Sequence, residues 1–124
     1  MTDKLMSAAD LARLVVQSLE DLKAQDVRVL DVTALTSIMD VMVVASGTSN
    51  RHVKALSDSV LEAAKAAGVR PIGVEGDATS DWILVDLGDV VVHVMLPRTR
   101  SFYNLEKLWS VGEAPVSLAG DEAG

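Results

Sequence analysis

The stretch that decides the fold is WILVDLGDVVVHVM, residues 82–95, in which two apolar runs are joined by Gly88-Asp89. Two apolar runs of strand length on either side of a Gly-Asp connection are typical of a β-hairpin. A two-residue loop sets the register, so that Val85 faces Val92 and Leu84 faces His93. The hairpin is therefore predicted to have two chemically different faces.

One face of this hairpin is wholly aliphatic and is expected to lie in the core; it carries Ile83, Val85, Leu87, Val90, Val92 and Val94. The other face mixes polar and apolar groups; it pairs Trp82 with Met95, Leu84 with His93 and Asp86 with Val91. Helices could cover this mixed face, with Asp86 and His93 satisfied locally. Alternatively it is an exposed patch that docks a protein, since Trp and Met are common interface anchors.

Outward from the hairpin, hydrophobic periodicity predicts an α/β (α+β) chain with a mixed β-sheet covered by helices, in the order α-β-β-α-β-β-β-α. The predicted elements are a helix at 7–24, strands at 27–32 and 41–45, a helix from a Ser49 cap to Gly68, a strand at 69–75, the hairpin, and a helix at 100–109. The continuous apolar run 41–45 predicts a strand buried on both faces. The strand–helix–strand unit over 41–75 predicts a parallel crossover.

Length and composition indicate a single domain at residues 1–109. The chain has 124 residues, and 49% of them are hydrophobic, which is enough to form a core. It has no cysteine, so this core forms without disulfides. Residues 110–124 are rich in Gly, Ala, Glu, Pro and Asp and are predicted to be a disordered tail. The N-terminus resembles no signal peptide and no apolar run is long enough to span a bilayer, so a cytoplasmic protein is expected.

The net charge of −7 bears on the class of partner. Nucleic-acid affinity comes mostly from Lys and Arg that neutralise phosphates, so little or no direct nucleic-acid binding is expected. An acidic chain suits a basic protein partner, whose association it would steer. Solubility alone is the other explanation of the charge.

Catalytic motifs are weak. Gly47 ends a strand and opens a helix, where backbone N–H groups could hold an anion, but the spacing of a P-loop is missing. Glu75 and Asp77 form an acid pair that could ligate Mg²⁺. Together with Gly47 and Asp86, they support an alternative function as a metal-dependent nucleotidyl or phosphoryl transferase. No nucleophile is placed beside His93, so the main expectation is a non-enzyme without a cofactor or metal.

Several blocks of sequence resemble the ribosomal silencing factor family, also called RsfS/Iojap. They are DVMVVASGTSNRHVK at 40–54, GVEG at 73–76, Asp81-Trp82, DLGDVVVHV at 86–94 and FYNLEKLW at 102–109, in order over about residues 11–109. The resemblance implies a nucleotidyltransferase-like fold without that activity, since the first acid after Gly47 is Asp58, within a helix. It also implies a translational repressor that binds the large ribosomal subunit through its ribosomal protein fourteen. The bound factor would block small-subunit joining, especially under nutrient limitation, in a bacterial cytoplasm.

The hairpin register, and not the family, predicts the residues that contact the partner: Asp81, Trp82, Leu84, Asp86, Asp89, His93, Met95 and Tyr103. The apolar members would supply contact area, and the three carboxylates would face Lys and Arg on the ribosomal protein. A homodimer through the same face is the alternative, and it would compete with ribosome binding.

Overall fold

The computed structural model describes residues 6–109, in which five strands form one sheet with helices packed on both of its faces. The elements in chain order are α1 (Ala8–Asp21), β1 (Gln25–Asp31), β2 (Val41–Ser46), α2 (Asn50–Ala66), β3 (Gly73–Glu75), β4 (Trp82–Asp86), β5 (Val90–Met95), α3 (Pro97–Tyr103) and α4 (Leu105–Trp109). The predicted disordered tail at 110–124 lies outside the described residues. Among residues 6–109, no helix is long and apolar enough to cross a membrane.

The sheet is mixed, as predicted, with the strand order β1-β2-β5-β4-β3. β2 and β5 are parallel, and every other neighbouring pair is antiparallel. It follows that β3 runs parallel to β2, as the strand–helix–strand pattern predicted, although β5 and β4 lie between them. β2 is buried on both faces, which confirms the prediction from its continuous apolar run.

The hairpin has the predicted register. Leu84 stands opposite His93, and Asp86 stands opposite Val91. At its end, the Leu87 N–H donates to the Val90 carbonyl at 2.9 Å. Gly88 has φ of 94°, a left-handed conformation that glycine adopts without steric cost.

The aliphatic face of the sheet holds the main core. α1 and α2 both pack on it, and its fully buried residues include Val15, Leu19, Val43, Val53, Leu56, Val60, Val85, Val92 and Val94. Burying a side chain of this size stabilises a fold by about 1.5–3 kcal/mol. Both helix starts are capped, and the cap at Ser49 confirms the prediction. The Ser7 and Ser49 hydroxyls accept from backbone N–H groups three residues on, each at 3.1 Å.

Two elements differ from the sequence prediction. β3 comprises Gly73–Glu75 only, instead of 69–75, and it forms one edge of the sheet. Pro71, which has no backbone N–H to donate, lies before the strand. The single helix predicted at 100–109 is two short helices separated by Asn104, whose φ is 49°. Asn visits this left-handed conformation more readily than most residues, and one such residue ends a helix.

Gly76 is a position where a side chain should be harmful. Its φ is 112°, and a Cβ there would lie 2.9 Å from the Trp82 carbonyl oxygen. Gly76→Ala should therefore lower the free energy of unfolding by about 1–3 kcal/mol, measured by urea denaturation. Gly73→Ala, in the same segment but with open space around its Cβ, is the matched control and should change it by less than about 0.5 kcal/mol. Equal losses in both variants would contradict this account.

Candidate functional site

The mixed face of the hairpin is covered along part of its area only. Leu105 and Trp109 of α4 pack on a second apolar cluster, whose buried members are Leu30, Val32, Met39, Met42, Val44 and Met95. α4 therefore covers the part of the face that is formed by β1, β2 and one end of β5. Leu84, Asp86 and Val91 remain partly exposed. The first explanation, cover by a helix, therefore holds for one part of this face, and the other part is exposed, as docking of a protein would require.

Met95 was predicted to contact a partner, and the structure corrects this. Its side chain is 0% exposed, so it offers no surface to another protein. The physical reason is the strand order, because β5 is the central strand and Met95 is a buried member of the second cluster. His93 is only 6% exposed, so it too presents almost no contact area. Its imidazole lies against the Trp82 ring and is buried.

Trp82 is half-buried and held in one orientation. Its Nε1–H donates to His93 Nδ1 at 3.0 Å, and its ring centroid lies 4.9 Å from that of Tyr103. Tyr103 is 51% exposed, and its ring makes a T-shaped contact with the ring of Phe102, with the two centroids 5.0 Å apart. An aromatic anchor that is already ordered loses little side-chain entropy when a partner binds. The structure therefore brings two predicted contact residues, Trp82 and Tyr103, together.

The predicted carboxylates lie at three places around β4. Asp81 is exposed at the start of this strand, and its Oδ1 accepts from Asn50 Nδ2 at 2.8 Å. Asp86 is half-buried at the other end, and its Oδ1 accepts from the Gly88 N–H at 2.9 Å. Asp89 is exposed at the hairpin tip, beyond Asp86. We use the term hairpin surface for the exposed and half-exposed side chains Asp81, Trp82, Leu84, Asp86, Asp89, Phe102 and Tyr103.

Sequence reasoning missed Phe102 as part of this surface. A single helix at 100–109 would place Phe102 on the same side as Leu105 and Trp109, which pack on the second cluster, yet Phe102 is 80% exposed. The helix break at Asn104 changes the direction of the chain, so residues before and after it no longer share one face. The Asn itself was the only sequence signal for the break.

Arg100 is a buried cation on α3. It is only 8% exposed, whereas Arg98 and Lys107 near it in sequence are exposed. Its guanidinium donates to Glu106 Oε2 at 2.8 Å and to the Ser46 hydroxyl at 2.9 Å. The ion pair joins α3 to α4 across the break at Asn104. It thereby fixes the short helix that covers the second cluster.

Burial lowers the pKa of His93 from 6.5 to about 4. The indole N–H of Trp82 can only donate, so Nδ1 of His93 must be an unprotonated acceptor. The folded chain therefore holds His93 neutral over a pH range in which the unfolded chain would protonate it.

The stability of the fold should depend on pH through His93. Above pH 6.5 neither state binds the proton, and the full stability is present. Between pH 6.5 and about 4 only the unfolded chain binds it, so the free energy of unfolding should fall with decreasing pH by up to about 1.4 kcal/mol per unit. His93→Gln keeps an acceptor for Trp82 without titrating. Urea denaturation across this window should show a shallower pH dependence for the variant, and parallel curves would contradict a neutral buried imidazole.

Two carboxylates of the transferase alternative, Asp77 and Asp86, accept hydrogen bonds within turns. Oδ1 of Asp77 accepts from the N–H and hydroxyl of Thr79, at 2.9 and 2.8 Å, which lowers the pKa of Asp77. Asp86 stands opposite Gly73, at the end of β4 distant from Asp77. Within residues 6–109, no group of three or more His, Cys, Asp or Glu residues is arranged to hold a metal ion.

Comparisons with known proteins give a consistent result over nearly the whole chain. A family model described as "Ribosomal silencing factor during starvation" matches residues 5–123. "Ribosomal silencing factor RsfS" of Chromobacterium violaceum is 47% identical over 115 residues, which cover 93% of each chain. A crystal structure of a Chromobacterium violaceum protein is similar with a TM-score of 0.83 and 47% identity, over 93% of this chain and 95% of that one.

A longer relative, from mouse, has a name that does not include silencing. "Mitochondrial assembly of ribosomal large subunit protein 1" of Mus musculus is 37% identical over 109 residues. The match covers 86% of this chain and 48% of the mouse protein.

Proposed function

We propose a function on the premise that this chain belongs to the ribosomal silencing factor family. The chain is a non-enzymatic repressor of translation that binds the large ribosomal subunit and sterically prevents the small subunit from joining it. The observation that carries the proposal is the family match over residues 5–123, because its description names both silencing and starvation. Repression is accordingly strongest under nutrient limitation, in the cytoplasm of a bacterium.

The large subunit is the favoured partner for two reasons. The name of the mouse relative connects that protein to assembly of the ribosomal large subunit. The sequence blocks that resemble the family also imply contact with ribosomal protein fourteen of the large subunit. We propose that this basic class of protein, and not ribosomal RNA, is what the chain contacts, since a net charge of −7 is repelled by phosphates.

The hairpin surface is the proposed contact region. Its apolar members Trp82, Leu84 and Tyr103 are partly exposed. Asp81 is exposed next to Trp82, and Asp89 is exposed at the hairpin tip, at the other end of β4. Aromatic side chains surrounded by polar groups are typical of protein interfaces. The acidic groups would favour approach to Lys and Arg side chains and would suppress other partners.

A steric mechanism needs only a folded obstacle at the contact site. A chain of this length has a radius of gyration of about 14 Å when compact. A body of that size on the large subunit would keep the facing surface of the small subunit from closing against it. No cofactor, metal or chemical step enters this mechanism.

Pelleting with purified subunits tests the binding step. The chain should cosediment with large subunits through a sucrose cushion and should stay in the supernatant with small subunits. Added free ribosomal protein fourteen should compete for the chain. Equal pelleting with both subunits, or none with the large one, would contradict the proposal.

A homodimer through the hairpin surface would compete with this binding. If it forms, dilution should increase the fraction of chain that binds large subunits, because dissociation frees the surface. Analytical ultracentrifugation at the concentrations used for pelleting measures this directly.

A further inference from the structure

An open groove of about 610 Å³ runs beside the start of β4 and along α3. Its lining includes Asp81, Trp82, Arg98, Phe102 and Tyr103. The chain has only two Trp, one Tyr and one Phe, so three of its four aromatic side chains meet in this groove. We call it the aromatic groove.

The three rings form a continuous wall. The centroids of Trp82 and Tyr103 are 4.9 Å apart with an interplanar angle of 50°, and Phe102 meets Tyr103 edge-on at 5.0 Å and 87°. The faces of such rings are electronegative and attract cations. Phe102 is 80% exposed and belongs to neither apolar cluster, so packing of the fold does not explain its presence.

A fixed carboxylate stands in the same groove. Asn50 Nδ2 donates to Asp81 Oδ1 at 2.8 Å, and the Leu96 N–H donates to the Asp81 backbone carbonyl at 2.9 Å. These bonds hold the backbone and one carboxylate oxygen in place. Among residues 6–109, no Lys or Arg side chain makes an ion pair with Asp81.

We propose that the aromatic groove binds the guanidinium group of an arginine side chain presented by the basic protein partner. The planar guanidinium can stack on an aromatic face while its N–H groups reach a carboxylate, which a lysine ammonium does less well. The net charge of −7 favours a cationic occupant over an acidic one. The identity of that partner as a ribosomal protein rests on the proposed function, but the chemistry of the groove does not.

A peptide titration tests the groove without the ribosome. The probes are a capped Gly-Arg-Gly peptide and its citrulline counterpart, which has the same shape without the charge. The arginine peptide should shift the NMR signal of the Trp82 indole N–H saturably, and the indole of Trp109, which lies outside the groove lining, should stay unchanged. Equal shifts with citrulline, equal shifts at Trp109, or no shift at Trp82 would overturn the proposal.

Substitutions of residues that line the aromatic groove test whether it binds a cation or an anion. Asp81→Asn should weaken arginine-peptide binding about tenfold, because a charge-assisted hydrogen bond is lost. Phe102→Leu should weaken it about two- to fivefold, since apolar bulk remains and only the ring is removed. Arg98→Gln should strengthen it, because a like charge leaves the groove lining. The opposite signs for Asp81→Asn and Arg98→Gln would show an anionic occupant and would overturn the proposal.

The same variants on ribosomes separate this inference from the proposed function. Asp81→Asn and Phe102→Leu should pellet less with large subunits, whereas Glu62→Gln, a charge change on exposed α2, should pellet normally. If large subunits bind wild type and both groove variants equally, the groove is not used and the proposed function survives. If the arginine peptide binds but the chain never pellets with large subunits, the proposed function is wrong and the proposal that the aromatic groove binds arginine is supported.

Discussion

Trp82→Ala should weaken binding to large ribosomal subunits by about 30- to 1000-fold, which is the range for a central tryptophan anchor of an interface. In the structure, Trp82 is half-buried between the Tyr103 ring and the His93 imidazole, so truncation removes contact area and also the support of Tyr103. Quantitative pelleting with purified large subunits measures the change.

This variant also carries a stability cost, because Trp82 packs against the second apolar cluster. Circular dichroism melting of the same samples must therefore show folded protein at the pelleting temperature. Leu22→Ala is a matched apolar truncation at the end of α1, on the other side of the sheet, and should pellet like wild type. A folded Trp82→Ala chain that pellets like wild type would remove Trp82 from the proposed contact region.

Trp82→Phe separates the ring from the hydrogen bond. This change keeps an aromatic surface beside Tyr103 but loses the donation from Nε1 to His93. Binding should fall less than in Trp82→Ala, because most of the contact area remains. Equal losses in the two variants would show that the His93 hydrogen bond, and not ring contact, is what the interface needs.

Glu106→Ala should lower the free energy of unfolding by about 3–5 kcal/mol, the range for removing one partner of a buried ion pair. Arg100 would keep its charge in a site that is only 8% exposed, without the carboxylate that neutralises it. Urea denaturation measures the loss. Lys107→Ala, on the exposed side of the same short helix, is the matched control and should cost less than about 0.5 kcal/mol.

A double-mutant cycle distinguishes the ion pair from general damage to α4. The cycle consists of Arg100→Met, Glu106→Leu and the double variant. If the ion pair carries the effect, the double variant should lose clearly less free energy of unfolding than the sum of the losses in the two single variants. Additive losses would mean that each side chain stabilises the protein separately. An unchanged free energy of unfolding in Glu106→Ala would show that the pair does not hold α4 in place.

The hairpin could be predicted closely because local chemistry determines it. The Gly88-Asp89 connection and the apolar runs beside it set the register, and the structure confirms each predicted pair from Trp82 to Asp86. The capping serines and the doubly buried β2 were predictable for the same reason. Membership of the silencing factor family, first indicated by the resemblance, is shown by the family match.

The extent of cover on the mixed face could not be predicted, because it depends on tertiary contacts. Met95 looked like a contact residue until the strand order placed β5 at the centre of the sheet. The position of α4 depends on a left-handed Asn104 and on an ion pair between Arg100 and Glu106. Neither leaves a periodic pattern in the sequence, so the exposure of Phe102 could not be predicted.

The measurement that tests the central claim most directly is the sedimentation profile of mixed large and small subunits with and without this chain. Added before the subunits are mixed, the chain should reduce the joined-ribosome peak in proportion to its occupancy of large subunits. Trp82→Ala should leave that peak close to its level without any addition. An unchanged joined-ribosome peak under saturating wild-type chain would contradict the proposal that it silences ribosomes by blocking subunit joining.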